Sequence, residues 1–315
     1  MPTTSDLHVV LGASGGIGNS LVHELAARGR RVRAVNRSGT ADVPAGVEVR
    51  AGDVASADGA TRACAGAGVV YHCAQPPYAR WAQEFLPMTR AVLDGAAAAG
   101  AKLVLADNLY MYGPVDRPMT EDLPYAATNP KGRVRAEMAE LLLAAHRAGT
   151  VRATMGRASD YYGPGGVRSA AGAAVFGPAV AGRTARWLGP LDVPHTLSYL
   201  PDIAAGLATL GERPEADGQA WHLPAAEPVT GTRFIDLVFA ELGRPAKLAS
   251  VSRLQQRALG MFIPGLREQG EIWYQRDRPF VVDAGRFERA FGPLPPTAHR
   301  QAVARTLDWF RRQPR

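Results

Sequence analysis

Cysteine is scarce in this chain: only Cys64 and Cys73 occur in 315 residues. They make no Cys-x-x-Cys spacing and no disulfide framework, so both are expected as free, buried or half-buried thiols in a reducing, cytoplasmic setting. No run approaches the ~18 apolar residues that a membrane-spanning helix requires. The apolar stretch from Ala170 to Ala181 is short and broken by glycine, so no membrane partner is expected. The opening from Met1 to Asp6 lacks a charged region followed by an apolar one, and no signal peptide is expected. The seven histidines, among them His72, His195, His222 and His299, fall at no ligand spacing, and no metal site is expected. A Gly-x-Ser-x-Gly elbow and a paired-carboxylate pattern are also missing. Lys and Arg outnumber Asp and Glu by 36 to 29, for a net charge of +7. The basic residues are scattered rather than gathered with aromatics, which argues against nucleic acid and for a solvated surface with a small anionic ligand.

What is present is ordinary globular material, 46% apolar and 21% charged, with 34 glycines. The length suits one large α/β domain or a nucleotide-binding domain with a smaller lobe. Short apolar runs alternate with helical periodicity through the first half. Strands are expected at 7–11, 31–35, 47–51, 69–73, 102–106 and 151–155, and helices after Ile17, from about Met88 to Ala99 and from Lys131 to Arg147. The second half is less regular, with strands at Thr196–Leu200 and Gln219–Leu223 and helices at about Phe234–Leu242 and Ala302–Phe310. This alternation predicts an α/β fold, a Rossmann-type doubly wound parallel sheet with a smaller C-terminal substrate lobe. The expected division is a dinucleotide-binding domain over 1–165, with returning sheet elements at about 195–225, and a lobe built from 166–194 and 226–315.

After the first strand, Gly12, Gly15 and Gly18 make a Gly-x-x-Gly-x-x-Gly loop. Glycine permits a tight turn and close approach of backbone to a pyrophosphate, and the helix that follows aims its N–H groups at the anion. Ser14, Gly16 and Ile17 complete the loop. A glycine-rich turn in a glycine-rich chain would need no ligand, but the strand–loop–helix context favours a cofactor. The second strand ends in Asn36, Arg37 and Ser38. An NAD site usually places an acidic residue ~20 positions past the loop to hold the ribose hydroxyls. Here Arg37 offers a planar cation suited to the 2′-phosphate of NADP, so NADP is expected ahead of NAD. Asp53, followed by Val54, is either an acceptor for the adenine amino group or a turn aspartate.

Several ordered segments resemble the extended, epimerase/dehydratase-like short-chain dehydrogenase/reductases. They are the Gly12–Gly18 loop, Gly52-Asp53-Val54, Val70–Ala74, Tyr112-Gly113, Thr128-Asn129-Pro130 and Arg157–Gly165, and the resemblance spans about residues 5–225. It adds Ala74 and Gln75 to the cofactor-binding set. It also implies a Ser-Tyr-Lys triad, which this chain replaces: Asn108 stands at the Ser position, Lys131 at the Tyr and Arg135 at the Lys. In the family Tyr exchanges a proton with the carbonyl oxygen, while Lys lowers its pKa and holds the nicotinamide ribose. Arg135 can keep the ribose and the positive field but cannot shuttle a proton near neutrality. Lys131 can donate one, and Arg135 four residues on is expected to lower its pKa by like-charge repulsion. Without the resemblance, both are read as a solvated basic helix face. Asn108 can hydrogen-bond a substrate oxygen, and Tyr110, two residues on, would share its side of an extended strand as a second acid. Of Tyr161 and Tyr162, one should face the pocket.

These residues point first to an NADPH-dependent reductase acting on a carbonyl, imine or activated alkene of a mostly apolar small molecule. A non-catalytic NADP(H)-binding sensor or scaffold is the alternative, and a nucleotide-sugar epimerase or dehydratase ranks below both. Lys131 as a Schiff-base nucleophile is a further reading. The irregular segments 78–85, 163–191 and 257–279, with Trp81, Phe176, Trp187, Phe262 and Trp273, would set the substrate or form lobe core. The resemblance implies a homodimer.

Overall fold

A computed structural model describes residues 5–313 except 168 and 170. The chain opening at Met1–Thr4 and the start of the apolar stretch at Ala170 lie outside the described residues. The core is a seven-stranded parallel sheet. Its strands are β1 (Leu7–Leu11), β2 (Arg31–Asn36), β3 (Glu48–Ala51), β4 (Val69–His72), β5 (Lys102–Asp107), β6 (Ala153–Arg157) and, after three short strands outside this sheet, β10 (Ala220–His222). The spatial order is β10-β6-β5-β4-β1-β2-β3. β4 is the middle strand; beside it lies β1, buried at every position, and the order of strands reverses between the two, opening the crevice where open parallel sheets place ligands.

Helices cover both faces. On one side α2 (Ala57–Cys64), α3 (Trp81–Ala98) and α4 (Pro130–Arg147) pack Phe85, Val92, Met138 and Leu142 onto the sheet. On the other, α1 (Gly16–Ala27) and α6 (Leu200–Glu212) bury Leu21, Leu25, Ile203 and Leu207 with Trp221. A third apolar cluster belongs to a separate group of elements: β7 (Tyr161–Tyr162), α5 (Gly177–Val180), β8 (Ala185–Leu188), β9 (Ser198–Tyr199), α7 (Gly231–Glu241), β11 (Leu248–Val251) and α11 (His299–Arg312). Between β11 and α11 run α8 (Arg253–Gly260), α9 (Pro264–Glu268) and α10 (Gly285–Phe291). Among the described residues no helix is long and apolar enough to cross a membrane. Both cysteines are free, and burial pushes each thiol up to about 12.

Three expectations are corrected. The sixth strand begins at Ala153, two residues later than its apolar run, because its register with β5 sets Arg157 opposite Asp107. The run Thr196–Leu200 contributes only Ser198–Tyr199, which pairs with Tyr161–Tyr162 outside the main sheet, because Leu200 and Pro201 already open α6. The helix expected from Met88 begins at Trp81 and carries Pro87 inside it.

A buried polar network ties the C-terminal ends of β5, β6 and β10. Asp107, fully buried, accepts from Arg135 Nη1 at 3.2 Å and from Arg157 Nε at 3.1 Å. Arg157 Nη1 donates to Tyr112 Oη at 2.6 Å, which donates to His222 Nε2 at 2.8 Å, and His222 Nδ1 donates to the Asp283 carbonyl at 3.0 Å. Burial, with Arg157 nearby, pulls His222 down to about 4; burial, with Arg135 nearby, pulls His72 down to about 3. Both imidazoles are neutral when folded, whereas in the unfolded chain they take up protons below about 6.5. Stability from these groups is therefore fully present above that value and is lost as pH falls toward 4. Urea unfolding should show stability rising with pH across this window, with a shallower rise in His222→Gln; an unchanged profile would contradict the neutral His222. Asp107→Ala should destabilise the fold by ~3–5 kcal/mol, since it strands two buried guanidinium groups.

Candidate active site

The crevice is built first from glycine. Gly12 N and Ala13 N donate to the Val35 carbonyl at 2.9 and 3.1 Å, which ties the loop after β1 to β2. Gly12 has φ +85°, and a Cβ there would lie 2.6 Å from the Ala74 backbone; one at Gly18 would strike the Gly12 carbonyl. A Cβ at exposed Gly15 would meet only the Gly12 carbonyl at 3.4 Å, so the outer side of the loop is open. No side chain caps α1, which leaves the N–H groups of Gly16, Ile17 and Gly18 at its first turn, with exposed Ser14 beside them. This arrangement fits a dinucleotide pyrophosphate: tight where backbone meets backbone, open and donor-rich where an anion would lie.

The adenosine end is more selective than the sequence implies. Asn36 is buried, and its carboxamide is consumed by the turn after β2: Oδ1 accepts from Gly39 N at 2.8 Å and Ser38 Oγ at 3.0 Å, while Nδ2 donates to the Thr40 carbonyl at 2.9 Å. Asn36 and Ser38 are thus turn builders rather than free ligand contacts. Arg37, at the apex, is exposed and has no ion pair among the described residues. Asp53 is exposed, with Oδ1 accepting from Ala55 N at 3.1 Å, the geometry of a turn aspartate. Val54 is buried in the core, Ala74 abuts Gly12, and Gln75 is exposed at the crevice.

At the nicotinamide end, α4 starts where Asn129 caps the Gly132 N–H at 2.8 Å. A Cβ at Gly132 would lie 2.7 Å from the Tyr110 carbonyl, so glycine lets this turn close on the loop after β5. The structure brings Lys131, Arg135, Asn108 and Tyr110 together around two aromatics, Tyr78 and Trp81. Lys131 and Arg135 are both buried, not a solvated face. The Lys131 ammonium lies 4.7 Å from the Tyr78 ring centre and donates to Glu268 at 2.5 Å and Glu271 at 3.0 Å. The Arg135 guanidinium sits 4.4 Å from the rings of both Trp81 and Phe85 and pairs with Asp107. Each cation faces carboxylate: Lys131 meets Glu268 and Glu271, and Arg135 shares Asp107 with Arg157. Arg135 is also turned into the protein, and its Nε is buried without a hydrogen-bond partner.

Asn108 and Tyr110 do not share a strand face. β5 ends at Asp107, and Tyr110 opens a 3₁₀ turn whose N–H is held by Asn108 Oδ1 at 3.0 Å. Tyr78 donates to the Tyr110 hydroxyl at 3.5 Å. Burial raises both phenols well above the usual range, with Tyr78 and Asp160 adding to the effect on Tyr110. Tyr162 turns away into the lobe core, stacked on Phe176 and bonded to His299 Nδ1 at 2.9 Å; Tyr161 instead lines a small cavity with Asp160 and Arg276.

Sequence reading missed the groups that close the site. Glu268, Glu271 and Tyr274 arrive from α9 and the 3₁₀ turn after it, with Tyr274 donating to the Tyr110 carbonyl at 3.3 Å. Asp160 pairs with Arg276 at 2.7 Å and lies 3.0 Å from His195 Nε2. Burial alone would raise the Asp160 carboxyl, but Arg276 and His195 outweigh it and hold it well below the carboxylate range. No spacing signal links these residues to Lys131. Among the described residues no cluster of His, Cys, Asp and Glu could hold a metal ion.

The model of the NAD dependent epimerase/dehydratase family matches residues 8–223. No curated protein matches the chain. Several solved structures are similar to nearly all of it. A double mutant of the dTDP-glucose 4,6-dehydratase of Streptomyces venezuelae, with NAD bound, is 21% identical, with 97% of each chain covered and a TM-score of 0.78. A nucleoside-diphosphate-sugar epimerase from Pseudomonas aeruginosa is 17% identical, with 97% of each chain covered and a TM-score of 0.76. A short-chain dehydrogenase/reductase superfamily protein from Agrobacterium tumefaciens, with bound NAD, is 19% identical, with 97% of each chain covered and a TM-score of 0.75. At these identities the likeness establishes the fold.

Gly12→Ala is expected to weaken dinucleotide binding at least ~10-fold, because the loop must shift away from Ala74 to admit the methyl group. Cofactor fluorescence titration reads this directly, and wild-type affinity in the variant would contradict the tight loop.

Proposed function

The chain belongs to the NAD dependent epimerase/dehydratase family, and from this premise we propose that it is an NADPH-dependent reductase of a carbonyl, imine or activated alkene in a mostly apolar small molecule. The observation that carries this reading is the protonation state of the slot. Its phenols are donors, since burial holds Tyr78 and Tyr110 protonated at neutral pH, and its two carboxylates, Glu268 and Glu271, are taken up by the Lys131 Nζ. Reduction draws on that populated acid form, whereas oxidation of a hydroxyl, with which an epimerase or dehydratase cycle starts, needs a base.

When bound, the dihydronicotinamide supplies the hydride. The protein's part is the proton. Tyr110 and Lys131 are its two sources, with Tyr78 between them donating to the Tyr110 hydroxyl and lying under the Lys131 ammonium. Glu268 and Glu271 stand behind Lys131 and hold its Nζ in place. Tyr78, Trp81, Tyr110 and Tyr274 make the neighbourhood aromatic, which supports an apolar substrate. The charge of nearby Arg276 is already met by Asp160.

The same reading favours NADPH. Arg37 has no ion pair among the described residues, the segment Asn36-Arg37-Ser38 that ends β2 contains no acidic residue, and the Asn36 oxygen is consumed by its own turn. A nucleotide-sugar enzyme is the second reading, favoured by a likeness that extends through the C-terminal part of the chain.

Titration of cofactor-stripped protein should give tighter binding of NADPH than of NADH. Arg37→Ala should remove ~10–100-fold of that preference, the worth of a charge-assisted bond to phosphate. Equal affinities in the wild type would overturn the NADPH assignment and leave the fold assignment intact. A panel of apolar ketones, imines and activated alkenes should elicit NADPH oxidation that falls at least ~100-fold in the double variant Lys131→Ala, Tyr110→Phe. An intact rate would exclude both as proton sources, and binding without turnover across the panel would favour a cofactor-binding scaffold.

A further inference from the structure

The hairpin of α8 and α9 is folded with its polarity reversed. Ser252 and Gln255 form a reciprocal capping box that fixes the start of α8. The face that α8 buries carries Gln256 and Gly260: Gln256 Nε2 donates to the Leu266 carbonyl at 2.6 Å, and a Cβ at Gly260 would lie 3.0 Å from the Arg267 backbone. The apolar side chains point outward. Leu254 is 76% exposed, Met261 74% and Phe262 82%, with Leu259 and Ile263 about half exposed. Apart from Val167, these are all the large apolar side chains that stand exposed among the described residues. A hairpin that hides glutamine and glycine and displays leucine, methionine, phenylalanine and isoleucine is built for contact with something other than water.

The charge around this tip identifies the contact. Arg253, Arg257 and Arg267 are exposed beside it, and among the described residues none is bonded to a carboxylate other than Glu268, which lies 3.7 Å from Arg267 and is engaged by Lys131. From Ser252 to Arg267 there is no acidic residue. Arg253 and Arg257, four apart, run alongside Leu254 and Ala258 on α8. We propose that this hairpin is a docking site for an anionic phospholipid surface, with Met261, Phe262 and Ile263 entering the acyl boundary and the arginines meeting the headgroups. The chain lies on the membrane rather than spanning it. A symmetric contact between two copies would instead bring like-charged arginines together. The inference stands apart from the reductase reading, although the hairpin runs directly into Glu268 and Glu271, the partners of Lys131.

The test is flotation of the full chain with vesicles of pure phosphatidylcholine and with vesicles of equal parts phosphatidylcholine and phosphatidylglycerol. Binding is expected to the mixed vesicles alone, and to weaken as salt is raised. Arg253→Gln with Arg257→Gln should weaken it ~5-fold per charge removed. Met261→Ser with Phe262→Ser should abolish it while leaving dinucleotide affinity unchanged, which separates loss of docking from loss of fold. Absence of binding to the mixed vesicles, or equal binding to both compositions, overturns the proposal. So does a wild-type oligomer that the serine variant converts to monomer without any lipid binding, which would assign the face to a second copy.

Discussion

Asp107 is the constraint on which the site depends. It closes β5 at the level of the crevice, and its two oxygens hold two cations, Arg135 of α4 and Arg157 of β6. Through Arg157 it reaches Tyr112, His222 and the returning strand β10; through Arg135 it reaches the rings of Trp81 and Phe85 at the head of α3. A carboxylate this deep is tolerated only because both oxygens are paired. The consequence is functional as well as structural. Arg135 is drawn into the framework, and Lys131 is left as the cation at the head of α4 that faces Glu268 and Glu271.

Lys131 in turn depends on a distant part of the chain. Glu268 and Glu271 come from the segment that closes over Tyr78 and Tyr110, so the lobe supplies the counter-charge for the slot. The phenols, desolvated under that cover, keep their protons. The proton donors and the cover are thus one assembly: removing the segment would expose the phenols to water and strip Lys131 of its partners.

Local features were legible in the sequence. The glycine loop can be read because its contacts, Gly12 with Val35 and Ala74, follow from a strand–turn–helix pattern whose members are adjacent in the chain. The parallel sheet can be read from alternation, whereas spacing alone reads Lys131 and Arg135 as a solvated helix face and the fold buries both. The misreadings share a cause, which is long-range pairing. The start of β6 is set by the match of Asp107 with Arg157, and the short β9 by its pairing with Tyr161–Tyr162. Nothing in the spacing of Glu268 and Glu271 announces a partner more than a hundred positions earlier. Asn36 looked like a ligand contact because its turn-building role appears only once Gly39 and Thr40 fold back upon it.

The central claim is that the slot favours proton donation, because its phenols are held protonated and its carboxylates, Glu268 and Glu271, are engaged by Lys131. The most direct test mixes the protein at neutral pH with dTDP-glucose or UDP-glucose and added NAD or NADP, and follows both sugar products and dihydronicotinamide absorbance. The account predicts neither dehydration nor epimerisation of the sugar and no reduction of the cofactor. Turnover of either sugar nucleotide would show that a base is available in the slot and would contradict the account.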